Sequence, residues 1–274
     1  MKLYKYVSSE IALTNIASGR IKFATLDSLN DPTELLPKIY EIELLESLRR
    51  IRTIGYDEDD LIDLKRQELI FQKLSPETMV IPAPESIEIA NSIVNLPVYN
   101  NLEYLKRMFH QTVEFMSLRC GIFCVSTRYD SLPMWAHYAE NASGFVIEFE
   151  DLHHTFSGDG TGILDEISSV QYKVKRSGIN FEKGSYKSLF FEKDKDWEYE
   201  SEKRVITDLK SCKKIGTDNG DIFIKEINKN HISRVIFGWK VPNQNVKKLS
   251  QKISSINPKA QITVAKIENG LIEI

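Results

Sequence analysis

The sequence has few of the features that identify disulfide-rich or metal-binding proteins. Its three cysteines, Cys120, Cys124 and Cys212, cannot all pair, and the first two lie in or near an apolar stretch. We therefore expect reduced thiols, two of them in a buried strand. No Cys or His residues recur at the spacing of a metal-binding motif, since His153 and His154 are simply adjacent. The sequence thus predicts no metal site.

The chain also lacks a long apolar run and an excess of charge of one sign. No segment approaches the roughly 18 apolar residues of a membrane span, and the N-terminus has no apolar signal region. Lys and Arg total 36 against 39 Asp and Glu, a net charge of -3. This balance gives no sign of a general nucleic-acid-binding surface. We expect a soluble, cytoplasmic protein with no membrane partner.

The spacing of apolar residues predicts an α+β fold. Strands are predicted at residues 3–7, 21–24, 121–127, 144–150, 167–174, 222–224, 232–237 and 262–265. Short helices are predicted at residues 11–17, 134–139, 186–194 and 243–253. Between about residues 40 and 117 the pattern is helical and broken by Gly and Pro, which predicts about four helices. We therefore expect one α+β domain over residues 1–274 with a helical insertion at about 40–117, rather than a doubly wound sheet.

The segment from Asp196 to Ile206 (DWEYESEKRVI) carries acids at alternate positions. If it is a strand, Glu200 and Glu202 share a face with Glu198 and Arg204, with neighbouring carboxylates about 6–7 Å apart. Arg204 is the candidate counter-charge that keeps Glu200 and Glu202 ionised, whereas Glu198 lies where the strand is only beginning. The alternative is a solvated edge strand whose charges discourage aggregation.

Other segments carry the polar and aromatic groups that a nucleotide-sized pocket needs. They are Lys5 and Tyr6 in the first strand, Ser126 and Thr127 at the end of the most apolar strand, Trp135, His137 and Tyr138 on the aromatic helix, and Asn30 and Asp31 in a turn before Pro32. Each group has a structural alternative. The two hydroxyls can cap a helix, the aromatic side chains can pack in a core, the histidine can be a satisfied structural residue, and the Asn-Asp-Pro turn can be purely local.

Four segments, at residues 3–6, 30–34, 134–139 and 197–204, together resemble an uncharacterised bacterial domain family. The family is recognised by an N-D-P-x-E turn, an M-W-A-H-Y-A box and a W-x-Y-E-x-E-x-R segment, which this chain has at residues 30–34, 134–139 and 197–204. The resemblance covers most of the chain outside the helical block. It does not name a reaction.

The order of the motifs also resembles, more remotely, the ADP-ribosyltransferase superfamily, which implies a mixed or antiparallel split sheet. In those enzymes a first strand carries an Arg or His that helps to hold NAD, a middle strand ends in Ser-Thr-Ser before a helix with an aromatic residue, and a late strand begins with the catalytic Glu. Here Lys5 stands at the first position, and Arg128 replaces the third residue of Ser-Thr-Ser. Tyr138 lies on the helix, and Glu200 and Glu202 lie on the late segment.

The resemblance implies an NAD-dependent mono-ADP-ribosyltransferase that modifies RNA, DNA or protein, such as a bacterial toxin or phage-defence effector with an antitoxin or other regulatory partner. NAD is then a substrate, and no metal is expected. Glu202 would stabilise the cation that develops on the ribose, and Glu200 would accept a proton from the nucleophile.

The remaining residues have binding roles in this hypothesis. Lys5, beside Tyr6, would meet a phosphate, the hydroxyls of Ser126 and Thr127 would position the nicotinamide, and Trp135 or Tyr138 would stack on a ring. Two alternatives stay open. One is a non-catalytic nucleotide- or nucleic-acid-binding module of the same fold. The other, less favoured, is a metal-dependent nuclease that uses Asp31 and Glu34 with the late glutamates.

Overall fold

A seven-stranded mixed sheet forms the centre of the protein. The computed structural model describes residues 1–31, 33–34, 38–74, 82–218 and 220–274. From edge to edge the sheet contains β12 (Gln261–Val264), β11 (Ile232–Phe237), β4 (Phe145–Glu150), β1 (Lys2–Val7), β3 (Cys120–Ser126), β8 (Glu202–Asp208) and β5 (Ile167–Ser169). All neighbouring pairs are antiparallel except β11 and β12. The predicted mixed α+β class is confirmed.

The two faces of this sheet are buried by different elements. On one face Leu3, Phe123 and Phe149 join a core with α1 (Glu10–Ala17) and α8 (Asn243–Ile256). α1 begins at Ser9, whose side chain accepts a hydrogen bond from the backbone N–H of Ala12, as expected of an N-cap. On the other face the aromatic helix α6 (Leu132–Tyr138) packs on Tyr4 and Tyr6.

The central sheet is split between β1 and β3. These strands pair only at Tyr4 and Ser126. Farther along β3, Ile122 instead exchanges two backbone hydrogen bonds with Ala24, at the end of β2 (Arg20–Phe23). β2 in turn belongs to a three-stranded antiparallel sheet with β10 (Gly220–Glu226) and β9 (Lys213–Thr217). The middle of β3 therefore faces a gap between β1 and β2.

The helical insertion contains α2 (Glu41–Ile54), α3 (Glu58–Leu74), α4 (Ile87–Val94) and α5 (Leu102–Ser117). This agrees with the four helices predicted between about residues 40 and 117. Ser86 and Asn101 act as N-caps of α4 and α5, since their side chains accept backbone hydrogen bonds in the first turn. Within the described residues, no helix combines the length and apolar character needed to cross a membrane.

Some predicted elements differ from the observed ones. The strand predicted at 167–174 is interrupted at Val170, giving β5 and β6 (Gln171–Lys173), and β6 pairs with β7 (Glu192–Asp194). The helix predicted at 186–194 is shorter, α7 (Lys187–Phe191), because β7 takes its end. β9 and the hairpin of β13 (Lys266–Glu268) and β14 (Leu271–Glu273) were not predicted, since these strands are short and largely exposed.

The prediction of one strand through residues 196–206 is wrong. Lys195–Glu200 forms a 3-10 helix, Ser201 adopts a left-handed conformation with φ 45°, and β8 begins only at Glu202. Glu198 is exposed. The acids of this segment therefore do not alternate along a strand. Strand alternation is not the reason that Glu200 and Glu202 lie close together.

Gly238, just after β11, permits the close approach of two chain segments. A Cβ atom at this position would lie 2.1 Å from the carbonyl oxygen of Ala142. We expect Gly238→Ala to lower the free energy of unfolding in urea by about 1–3 kcal/mol, because the backbone has to shift. Gly216→Ala is the matched control, since its Cβ would have nothing within 4 Å. Equal stability of the two variants would contradict this account.

Candidate active site

A cavity of about 840 Å³ occupies the gap between β1 and β2. β1, the middle of β3 and α1 form its walls, and the three-stranded sheet closes one side. At its inner end lie the side chains of Glu200 and Glu202, together with those of Glu34 and Lys193. The split in the sheet thus creates a large concave space that ends at a group of charges.

The charged group is a buried cluster of three carboxylates and two cations, formed by Glu34, Lys193, Glu200, Glu202 and Arg204. Each of these side chains is at most 5% exposed. The Lys193 ammonium lies 2.6 Å from Glu200, 3.6 Å from Glu202 and 3.8 Å from Glu34. With three negative and two positive groups, the cluster carries one negative charge that is not balanced within it.

Arg204 fixes Glu202 from behind the cavity. Its Nε and Nη2 atoms donate to the two carboxylate oxygens of Glu202, at 2.9 and 2.8 Å. Its Nη1 atom donates to the carbonyl oxygen of Phe190 at 2.9 Å, and Nη2 also donates to the Glu34 carboxylate. Burial alone would raise the pKa of Glu202, but the charge and hydrogen bonds of Arg204 lower it to about 2. Glu202 is therefore a fixed anion at neutral pH.

Glu200 is held differently and has the opposite pKa shift. One carboxylate oxygen accepts a hydrogen bond of 2.5 Å from the Tyr138 hydroxyl, and the other accepts one of 2.6 Å from Lys193. Burial, together with the charge of Glu202, raises the pKa of Glu200 even though Lys193 opposes the shift. Two neighbouring carboxyl groups with pKa values shifted apart are suited to different roles, one as a fixed charge and one as a proton carrier.

The backbone around Ser201 explains how both glutamates reach the cluster. The left-handed Ser201 reverses the chain between the 3-10 helix and β8. Ser126 Oγ donates to the Glu200 carbonyl oxygen at 2.6 Å, and the backbone N–H of Glu202 donates to the Tyr172 hydroxyl at 2.7 Å. These bonds orient the two side chains toward Lys193 without strand alternation.

Lys5 and Ser126 line the same cavity as Glu202. The register, however, places Tyr4 rather than Lys5 in one row with Ser126 and Glu202. Lys5 lies on the opposite face of β1, and its ammonium donates to the Cys124 carbonyl oxygen at 2.8 Å across the split. The Ser126 hydroxyl is used within the protein, because it also accepts a hydrogen bond from the Arg128 backbone.

Three other predicted site residues also line the cavity. Asn30 and His137 are exposed, and Tyr6 is buried, with its hydroxyl bonded to the Arg128 carbonyl oxygen at 3.0 Å. The His137 ring stacks on Tyr199, with 6.0 Å between centroids. These residues surround the space in front of Tyr138 and Glu200.

Trp135, Thr127 and Asp31 lie elsewhere, contrary to the roles predicted for them. Trp135 is 1% exposed, and its Nε1 donates to the Tyr129 carbonyl oxygen, so it is a core residue and not a stacking wall. Thr127 is exposed outside the cavity. Asp31 is buried, and one of its oxygens accepts hydrogen bonds from Thr33. Pro32, in the same predicted turn, lies outside the described residues.

Lys193 was not identified from the sequence, and Glu34 was considered only as a metal ligand. Burial alone would lower the pKa of Lys193, but Glu202, Glu34 and Glu200 together raise it. Its ammonium also lies 4.6 Å from the centre of the Trp197 ring. A single lysine before an acidic segment carries no sequence signal, whereas Glu34 is the last residue of the N-D-P-x-E turn and was visible as part of that motif.

The positions between the carboxylates of the cluster are filled by Lys193 and Arg204. Within the described residues, one group of candidate metal ligands comes within 4.8 Å of one another, namely Asp151, His153 and His154, all of them exposed. They lie outside the cavity. Adjacent histidines gave no recognised ligand spacing in the sequence, but the turn at Asp151 brings the three side chains together.

Comparison with known proteins adds one finding. Residues 134–205 match the model of a family described as protein of unknown function (DUF2971). The match fits the uncharacterised domain family that the motifs predict, over a segment from α6 to β8 that contains Tyr138, Lys193, Glu200 and Glu202. No curated protein and no solved structure matches the chain.

Removing Arg204 tests whether the cluster is held together by it. Arg204→Met leaves Glu202 and Glu34 buried without their closest cation, so we expect the free energy of unfolding in urea to fall by about 3–5 kcal/mol. Lys203→Met is the control, because Lys203 contacts Ser169 at the surface, and its effect should stay within about 0.5 kcal/mol. A loss below about 1 kcal/mol in Arg204→Met would show that the cluster does not depend on this residue.

The lowered pKa of Glu202 predicts how stability changes in acid. Because the folded pKa is about 2 and the ordinary value is 4.5, ionised Glu202 stabilises the fold above pH 4.5, and this contribution is lost as the pH falls toward 2. Wild type should therefore lose stability from pH 5 to pH 3 more steeply than Glu202→Gln, as measured by urea unfolding. Parallel pH profiles for the two proteins would contradict the assignment.

Proposed function

We propose that the protein is an NAD-dependent mono-ADP-ribosyltransferase with a macromolecular acceptor. One observation carries the proposal: the strands bearing Lys5, Ser126 and Glu202 are neighbours in the order β1, β3, β8, and all three residues line one cavity. The order of these three strands in the sheet is the same as the order along the chain of the motifs that resemble the ADP-ribosyltransferase superfamily. The position of the cavity at a split in the sheet agrees with the split sheet that the resemblance implies.

The size and polarity of the cavity also support the proposal. Its volume of about 840 Å³ lies within the range of about 300–1,000 Å³ that is usual for ligand sites. Tyr138 and His137 supply aromatic surfaces beside the glutamates, and Lys5 supplies a cation in the same lining. A nucleotide with its ribose near Glu202 would therefore find a cation for its phosphates in the same cavity.

The two glutamates suit the two parts of the transfer. As the bond between the ribose C1 atom and the nicotinamide nitrogen breaks, nicotinamide leaves with the electron pair and positive charge develops on the ribose, which the fixed anion Glu202 stabilises. The acceptor nucleophile then bonds to C1, and its proton passes to Glu200, whose raised pKa makes it the better base of the pair. Tyr138 and Lys193 hold the Glu200 carboxylate in position for that step.

A second candidate is a nucleotide-binding module without catalytic activity. It is favoured by the hydrogen bonding of Glu202, since both carboxylate oxygens already accept bonds from Arg204. An anion engaged in this way stabilises a nearby cation less than a free one does. The two candidates differ in whether bound NAD loses its nicotinamide.

The decisive experiment incubates the full chain with NAD labelled in the ADP-ribose part and, separately, with RNA, DNA and protein acceptors. We expect nicotinamide release and transfer of the label, and a loss of rate of about 10²–10³-fold in Glu202→Gln, because a preorganised charge is removed from the transition state. Glu198→Gln is the matched control, since Glu198 is an exposed acid of the same segment.

Three outcomes are distinguishable. Turnover that falls in Glu202→Gln but not in Glu198→Gln supports the transferase. NAD binding by calorimetry without nicotinamide release supports the binding module. Equal turnover in wild type and Glu202→Gln would falsify the catalytic assignment, provided that the melting temperatures show both proteins to be folded.

A further inference from the structure

The helical insertion lines most of a second cavity, of about 410 Å³. α3, α4 and α5 each present one face to it, since Leu64 and Phe71, Ala90 and Val94, and Tyr104 and Met108 lie at helical spacing and all line it. Phe181, from the segment before α7, closes one side and packs edge to face on Tyr99 and Phe109, at 5.9 and 5.8 Å. The cavity is thus formed by the helix faces that would otherwise meet in a core.

The cavity is open to solvent on one side, since Arg107 and Gln111 in its lining are exposed. A cavity between helices that is lined by apolar and aromatic side chains with a few polar groups is typical of a small-molecule site. The walls therefore indicate a ligand with an apolar, ring-shaped body.

Three tyrosine hydroxyls in this cavity are available to a ligand. Tyr56, Tyr99 and Tyr104 line it, and none of their hydroxyl groups has a hydrogen-bond partner among the residues that the structure describes. By contrast, the hydroxyls of Tyr138 and Tyr186 bond to carboxylates of the protein. Burial also raises the pKa of Tyr56 to about 12, so its hydroxyl is a neutral donor at neutral pH.

One cation at the cavity is available to an anion. Of the two carboxylates in the lining, Glu182 pairs with Arg50 at 3.3 Å, and Glu68 accepts a hydrogen bond from the neutral Gln72 at 3.0 Å. The Arg107 side chain, which also lines the cavity, has no ion pair or hydrogen bond within the described part of the chain. The cation without a partner and the three phenol donors together match a single acidic group.

We propose that this cavity binds a small aromatic molecule that carries one acidic group. The aromatic body lies between the apolar faces of α3, α4 and α5, and the acidic group accepts hydrogen bonds from the tyrosine hydroxyls and pairs with Arg107. The site is separate from the cavity at Glu200 and Glu202 and does not depend on the function proposed for it.

A fluorescence titration with anilinonaphthalene sulfonate, an aromatic anion, tests the site in the full chain. We expect saturable binding to one site, weakened about tenfold or more in Tyr99→Phe and in Arg107→Gln, because each loses a bond to a charged group. Val94→Trp should abolish binding by filling the space, since Val94 is buried in the cavity wall. Arg49→Gln is the control, because Arg49 is exposed on α2 and does not line the cavity.

Binding that is not saturable, or that has the same affinity in wild type, Arg107→Gln and Val94→Trp, would overturn the proposal. Circular dichroism and melting temperatures verify that the variants are folded, and Tyr99→Phe removes only one oxygen atom. Nicotinamide release should be equal in wild type and Tyr99→Phe. A failure of the transferase proposal therefore leaves this titration unchanged, and the reverse also holds.

Discussion

Mutual neutralisation of buried charges is the constraint on which this structure depends. Glu34 precedes the helical insertion, whereas Lys193, Glu200, Glu202 and Arg204 lie on three successive elements within residues 193–204. None of the five could be buried alone without a large desolvation cost. Each segment therefore has to arrive in position for the others to be tolerated. Burial, together with the charge of Glu202, raises the pKa of Glu200, so Glu200 is easier to protonate than an ordinary glutamate.

The split in the central sheet gives this cluster access to solvent and ligands. β3 pairs with β1 at Ser126 and meets β2 at Ile122, so the strand edge between them is covered by neither. The gap that interrupts the hydrogen-bond ladder is also the cavity that four residues of the charged cluster line.

The fold class and the helical insertion could be predicted because they follow from local periodicity. The strand boundaries around Ser201 could not. A left-handed conformation at a residue other than glycine is stabilised here by tertiary hydrogen bonds, from Ser126 to Glu200 and from Glu202 to Tyr172, and local propensity does not report them. The alternating acids therefore indicated two glutamates that lie together in the buried cluster, but the strand alternation inferred from them is absent.

In the candidate site, too, some residues could be selected from the sequence and others could not. Glu200, Glu202 and Tyr138 belong to recognisable motifs, so their sequence context was sufficient to select them. Lys193 lies in β7, outside the three motifs, and the pairing of β7 with β6 positions it at the cluster. Trp135 was misassigned because an aromatic side chain in a motif looks alike in sequence whether it packs in a core or faces a ligand.

The attachment of the helical insertion limits how the chain can be shortened. The insertion leaves the sheet after Ala24 and returns at Cys120, and Ala24 and Ile122 are hydrogen-bonded neighbours. The two ends of this excursion, residues 25–119, are therefore adjacent. A short loop could connect them, but Ile70, Leu74, Val113 and Met116 of its helices pack in one buried cluster with Ile122 and Ile206 of the sheet. Glu34 also lies within the excursion, before the helices, and bonds Arg204. A chain without the excursion would therefore expose part of the sheet and lose one acid of the cluster, whose charges would then balance.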